Sequence, residues 1–216
     1  MAGTILVLAA AARSLNDATG HNLIMGKIFL VRHGQDKDNQ QGILNGKRDS
    51  ELTDLGRRQA ATVVEKFKDI KIEAIYCSPL KRAYDTAKII AAELGVNEVI
   101  TDESLIERDF GVLTGKPVAD ILKYTQKIIR SDGINYFLEV EGAESFSDLL
   151  LRGGQILEKI NQQYPDSNIV IVTHGDIGKM IRAVYHNWTW QKGLETPYFD
   201  NTEVLELSDS QDKEIL

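Results

Sequence analysis

The chain is 216 residues long, 43% hydrophobic and 26% charged, the balance of a soluble globular protein with one domain large enough to bury a substantial core. A formal net charge of -7 weighs against broad binding to nucleic acid or to a membrane surface, yet leaves room for an anionic substrate held by local positive charge. Cys77 is the single cysteine, which excludes an internal disulfide and suits a reducing, cytoplasmic setting. No Cys/His cluster has zinc spacing, and no apolar stretch approaches the roughly 20 residues of a membrane span.

Residues 1–25 read as an N-terminal extension of unassigned role. Ile5–Ala12 is apolar but short, and it lacks the basic lead of a secretory signal. The domain is expected over 26–208, with a flexible polar tail at 209–216. Ile28–Val31 is an apolar run of the kind that becomes a buried strand, and it ends in Arg32-His33-Gly34. Ile169–Val172 repeats the device and ends in His174-Gly175. In an open α/β sheet, ligands bind beyond the carboxyl ends of the strands. Parallel strands would bring both imidazoles to one edge, and each following glycine lets the backbone approach a ligand.

A polar loop, Gln35–Glu51, carries Gly42, Gly46 and Asn39. The Asn39 amide can donate to a phosphate oxygen, or be an ordinary loop asparagine. Thr53 reads as the N-cap of a helix with Leu55, Ala60, Val63, Val64 and Phe67 at helical spacing. A strand is expected at Ala74–Tyr76, then a helix from about Pro79 with Arg82 in its first turn. A helix N-terminus with an arginine fork suits an anion; the plainer reading makes Arg82 a solvated helix residue. Cys77 fits a small buried packing role. Glu98–Thr101 is a third strand, and Glu107 and Asp109 read unaided as solvated loop charges. Pro117–Arg130 reads as an amphipathic helix. A long helix then runs to about Tyr164 through Gly153-Gly154, where Pro165 closes it. Ile177–Tyr185 is another helix and Val204–Leu207 a last strand. Alternating strands and helices indicate α/β architecture. His21 and His186 have no matching context and read as structural or surface residues.

From about Lys27 to Leu207 the chain resembles the histidine phosphatase superfamily, the family of cofactor-dependent phosphoglycerate mutases and related phosphatases. Several stretches carry the resemblance: Arg32-His33-Gly34 with Asn39 five residues on, the LTDLGRRQA stretch, the complete SPLKRA pattern around Arg82, and LIERDFG around Glu107. Gly142, Glu144, Ser145 and Arg152 fit a further family pattern, and His174-Gly175 completes the set. One departure is that Gln35 and Asp36 stand where Glu-Thr or Glu-Ser is usual. The resemblance implies a three-layer αβα sandwich with a mostly parallel central sheet. It makes His33 the nucleophile and Glu107 the acid, with Arg32, Arg82 and His174 as positive donors. It also places Asn39, Gly46 and Gly175 beside the substrate. It implies neither metal nor cofactor. Glu144 would orient neighbouring groups, helix capping being the alternative.

The chemistry expected from this set is hydrolysis of a small phosphorylated substrate. A phosphate monoester repels nucleophiles, so its charge must be neutralised and the attack held in line. His33 must be neutral to attack, and nearby arginines favour that state. The mutases usually carry a tryptophan where Lys47-Arg48 stand here. They also carry a longer aromatic-rich segment after the catalytic acid. A phosphatase is therefore expected over the alternatives, a phosphoglycerate mutase or an inactive phospholigand-binding protein. The oligomeric state, monomer or homodimer, is left open.

Overall fold

The computed structural model describes residues 26–208 and 213–214; the expected extension at 1–25, and the rest of the tail after Ser208, lie outside them. In chain order the strands are β1 (Ile28–Arg32), β2 (Ala74–Cys77), β3 (Val99–Thr101), β4 (Ile128–Ser131), β5 (Ile134–Phe137), β6 (Ile169–Thr173), β7 (Val204–Leu207) and β8 (Lys213–Glu214). The α-helices are α1 (Lys37–Gln41), α2 (Asp54–Thr62), α3 (Lys81–Leu94), α4 (Ile121–Tyr124), α5 (Phe146–Gln163), α6 (Gly175–Tyr185) and α7 (Trp190–Leu194).

Six strands form one sheet in the order β3-β2-β6-β1-β7-β8. The first four run parallel, and β7 and β8 are added antiparallel. Strand alternation builds a core on each face. Leu30, Tyr76, Ile169 and Ile171 meet Leu149, Ile156 and Ile160 of α5 and Ile177, Met180 and Ile181 of α6. The opposite set, Phe29, Val31, Ile75, Val170 and Val172, meets Ala83, Ala87 and Ile90 of α3, with Val63 and Phe67. Burial on both faces is why these strands read as unbroken apolar runs. The result is the expected α/β sandwich. Gly153, in the middle of α5, lets that helix close on α6: a Cβ there would lie 3.2 Å from the Ile181 nitrogen. Cys77 is buried, as expected of a packing residue, and burial pushes its thiol up to about 12.

The helix expected over Pro117–Arg130 does not form. That stretch holds a 3-10 turn (Val118–Asp120), the single turn α4, and then β4 paired antiparallel with β5. Asp132 and Gly133 both have positive φ, 50° and 74°, between the two strands. An Asp-Gly pair supplies that geometry, and β-branched Ile128, Ile129 and Ile134 flank it. Turn chemistry and β-branching thus override the helical spacing of the apolar residues. Phe110, Leu113, Ile121 and Phe137 form a third, smaller core under this hairpin. In the tail, Lys213–Glu214 pairs with β7 as an edge strand, a pairing absent from the expected loose tail.

Candidate active site

Strand register assembles the site. Arg32 of β1 stands opposite Thr173 of β6, and the His33 amide donates to the Thr173 carbonyl at 3.0 Å. The residue after each strand is therefore a histidine at the same sheet edge, with ring centroids 5.1 Å apart. Gly34 is required by close approach, since a Cβ would sit 2.4 Å from the Gly56 carbonyl oxygen. Next in the sheet, β2 ends at Cys77 opposite Val172, and the chain turns into α3 with Arg82 in its first turn.

The contacts of His33 define its tautomer. Nδ1 lies 2.8 Å from the Gly34 carbonyl oxygen, which only accepts, so Nδ1 carries the proton. Nε2 receives a hydrogen bond from Arg82 Nε at 3.2 Å and so presents its lone pair. Burial first, then the charges of Arg82 and Arg32, hold the His33 pKa well below its usual value. This is a neutral imidazole whose Nε2 carries no proton. His174 is wholly buried, neither ring nitrogen makes a hydrogen bond, and burial and Arg82 lower its pKa likewise.

Arg82 is also wholly buried, not a solvated helix residue. It donates to the carbonyls of Gly46 and Arg48 at 2.8 and 2.7 Å and pairs with Asp36 at 3.2 Å. Asp36 in turn caps α1 and accepts from Asn45 Nδ2 at 2.7 Å. Gln35 accepts from the Thr53 hydroxyl. The residues that depart from the family pattern thus organise the nucleophile loop. Asn39 has its side-chain oxygen turned to Asn201 Nδ2 at 3.3 Å, and the same Nδ2 donates to the His33 carbonyl at 2.7 Å.

Glu107 is buried against the N-terminus of α6. Its carboxyl accepts from the amides of Arg108 (2.9 Å), Asp176 (3.2 Å) and Ile177 (3.2 Å). Those bonds favour the carboxylate, but burial and the neighbouring Asp176 charge outweigh them, and the pKa is raised. Arg152 anchors the preceding backbone through the Ser104 carbonyl at 2.8 Å, and it pairs with Glu144 at 2.8 Å. Glu144 thus orients its neighbours, and Ser145 supplies the cap of α5.

A cavity of about 270 Å³ opens at this edge, lined by Arg32, His33, Asn39, Glu107 and Gly175 among the expected residues. Arg82, His174 and Gly46 do not line it: Arg82 bonds to the His33 ring, and Gly46 holds Arg82. Arg32 has an unpartnered buried Nε and lies over the Tyr198 ring at 4.7 Å. Sequence reasoning missed Asn45, Arg108, Asp176, Tyr198 and Asn201. Only Asp176 carried a signal, as an acid in the first turn of the helix after His174.

A family model, histidine phosphatase superfamily (branch 1), matches residues 28–216, and the chain belongs to that superfamily. It is 37% identical over 163 residues to phosphoglycerate mutase-like protein 4 of Arabidopsis thaliana, covering 74% of this chain and 69% of that one. It is 35% identical over 164 residues to the metal-independent phosphoserine phosphatase of the same plant, covering 74% and 67%. The structure also superposes on phosphoserine phosphatase from Entamoeba histolytica in complex with 3-phosphoglyceric acid. The TM-score is 0.71 at 28% identity, covering 84% of this chain and 90% of that chain.

Proposed function

We propose that this protein is a metal-independent phosphomonoester hydrolase that works through a phosphohistidine on His33. The observation that carries this reading is the His33 tautomer: a neutral ring with Nδ1–H anchored on Gly34 and the Nε2 lone pair facing Arg82. A monoester entering the cavity brings its phosphoryl group to Nε2, and the Arg82 hydrogen bond passes from that nitrogen to a phosphoryl oxygen. Arg32 Nε and the N–H of the neutral His174 ring supply further donors for those oxygens. Nε2 forms a bond to phosphorus as the ester P–O bond breaks, and Glu107 gives its proton to the leaving alkoxide. Ionised Glu107, supported by three amides, then takes a proton from the water that attacks the phosphohistidine. Phosphate leaves and His33 returns to its starting tautomer.

A mutase would use the same phosphohistidine and return the phosphoryl group to a second substrate. Supplying 3-phosphoglycerate with and without 2,3-bisphosphoglycerate, while following isomer interconversion and phosphate release, separates the two. Phosphate release from monoesters with no bisphosphoglycerate requirement is expected. Fast interconversion with negligible release would overturn the reading. A cytoplasmic setting is part of the same proposal; among the described residues no helix is long and apolar enough to cross a membrane.

A further inference from the structure

The cavity has two chemically different ends. Beside His33, the lining cation Arg32 has a buried Nε without a partner. The rest of the wall comes from Ile43, Phe110, Val118, Ile121, Ile134 and Phe137. It is a built wall. Leu44 and Gly115 exchange backbone hydrogen bonds with the opposite segment, through the Lys116 carbonyl at 2.9 Å and the Leu44 carbonyl at 2.7 Å. Phe110 and Phe137 stack edge to face with centroids 5.4 Å apart.

The other lining cation, Arg108, is already engaged within the protein, its charge met by Asp176. Its Nε pairs with Asp176 at 2.7 Å, its Nη1 donates to the Phe137 carbonyl at 3.1 Å, and its plane lies between the rings of Phe137 and Phe146 at 4.0 and 4.1 Å. The remaining polar lining groups, apart from His33, are neutral (Asn39, Asn45, Asn135 and the hydroxyls of Tyr136 and Tyr198) or acidic (Glu107, Asp176). A carboxylate on the leaving group would meet apolar surface, two carboxyl groups and an arginine whose charge Asp176 already meets, and would lose its hydration for little in return.

Resting on the proposed phosphatase activity, we infer that the preferred substrates are phosphomonoesters of uncharged, apolar alcohols, recognised by the wall of the β4–β5 hairpin, rather than phosphorylated hydroxy or amino acids. The inference concerns this chain's own wall; the relatives named above carry their substrates' names independently of it.

Hexyl phosphate and 3-phosphoglycerate give the sharpest comparison. Hexanol is the poorer leaving group, so intrinsic reactivity opposes the expected preference. A kcat/KM at least about tenfold higher for hexyl phosphate is expected, with the difference mostly in KM. Equal or better use of 3-phosphoglycerate or phosphoserine would overturn the inference. Ile134→Arg should narrow the ratio by placing a cation in the wall, and Val118→Arg, at an exposed rim position, serves if the first variant misfolds. A ratio unchanged in a folded variant would count against the wall as the determinant. Calorimetric binding of the same two ligands to His33→Ala keeps the question separate from hydrolysis. Tighter hexyl phosphate binding supports the inference even where no monoester is turned over, an outcome that sinks the phosphatase reading alone. Tighter 3-phosphoglycerate binding overturns it.

Discussion

The two strand ends Arg32-His33-Gly34 and Thr173-His174-Gly175 are the same device in sequence, yet the fold gives them different work. After β1 the chain enters a loop, and the His33 ring is bonded through both nitrogens, one to its own loop and one to Arg82. After β6 the chain enters α6 directly, and the His174 ring is buried with both nitrogens unbonded. A ring held in one tautomer suits a nucleophile; a ring with free nitrogens suits a partner for oxygens that arrive with substrate. The end after β6 also positions the proposed acid, because Glu107 sits on the first amides of the helix that follows His174. In the proposed reaction one end makes the bond to phosphorus, and the other manages the charge and the proton.

The largest test of that division is His33→Ala, which should lower kcat by about 10⁴-fold or more. The wild type should trap an acid-labile phosphoenzyme on rapid quench, and the variant none. Undiminished turnover would assign the nucleophile elsewhere.

His174→Ala should cost less, about 10²- to 10³-fold in kcat, and should still form the phosphoenzyme, more slowly. If the two variants lose activity equally and neither forms a phosphoenzyme, the division of labour fails.

Glu107→Gln sharpens the role of the second end. Turnover of alkyl phosphates should fall at least about tenfold more than that of aryl phosphates, whose leaving groups need less protonation. Because burial raises the Glu107 pKa above the ordinary carboxylate range, wild-type kcat/KM for an alkyl ester should decline as pH rises through that raised value. The variant should lose this limb. A matching pH profile in both would remove Glu107 from the acid role.

The smallest effect is on stability. A histidine whose folded pKa is depressed refuses the proton that the unfolded chain takes up below about 6.5. Stability is therefore full above that pH and falls on acidification until the folded pKa is reached, by at most about 1.4 kcal/mol per pH unit per group. His174 and His33 both act in this direction, while Glu107, with its raised pKa, acts oppositely and equally in both proteins. His174→Asn should flatten the loss of Tm on acidification below about pH 6.5. An unchanged slope would mean that His174 is charged when folded.

Local signals in the sequence sufficed for β1, β2, β6 and β7 of the central sheet, where burial on both faces leaves a short apolar run. They sufficed also for the helices that open at Thr53 and Ser145, whose side chains accept amides three residues on. The placement of His33, Arg32, Arg82, Glu107 and His174 could be read from the chain because each sits at a strand end, a helix start or a short motif. What only the tertiary structure decided depends on contacts between distant segments. The strand register that sets the two rings side by side is one such contact. Others are the Asp36–Arg82 pair, the Asn201 amide on the His33 carbonyl, and Arg108 enclosed by Asp176 and three rings. The hairpin wall lies between the two cases. Its Asp-Gly turn was written in the chain, but the helical spacing of the surrounding apolar residues competed with it. Pairing with β5 and burial on the small core beneath settled that competition, and so placed the apolar surface that the leaving group meets.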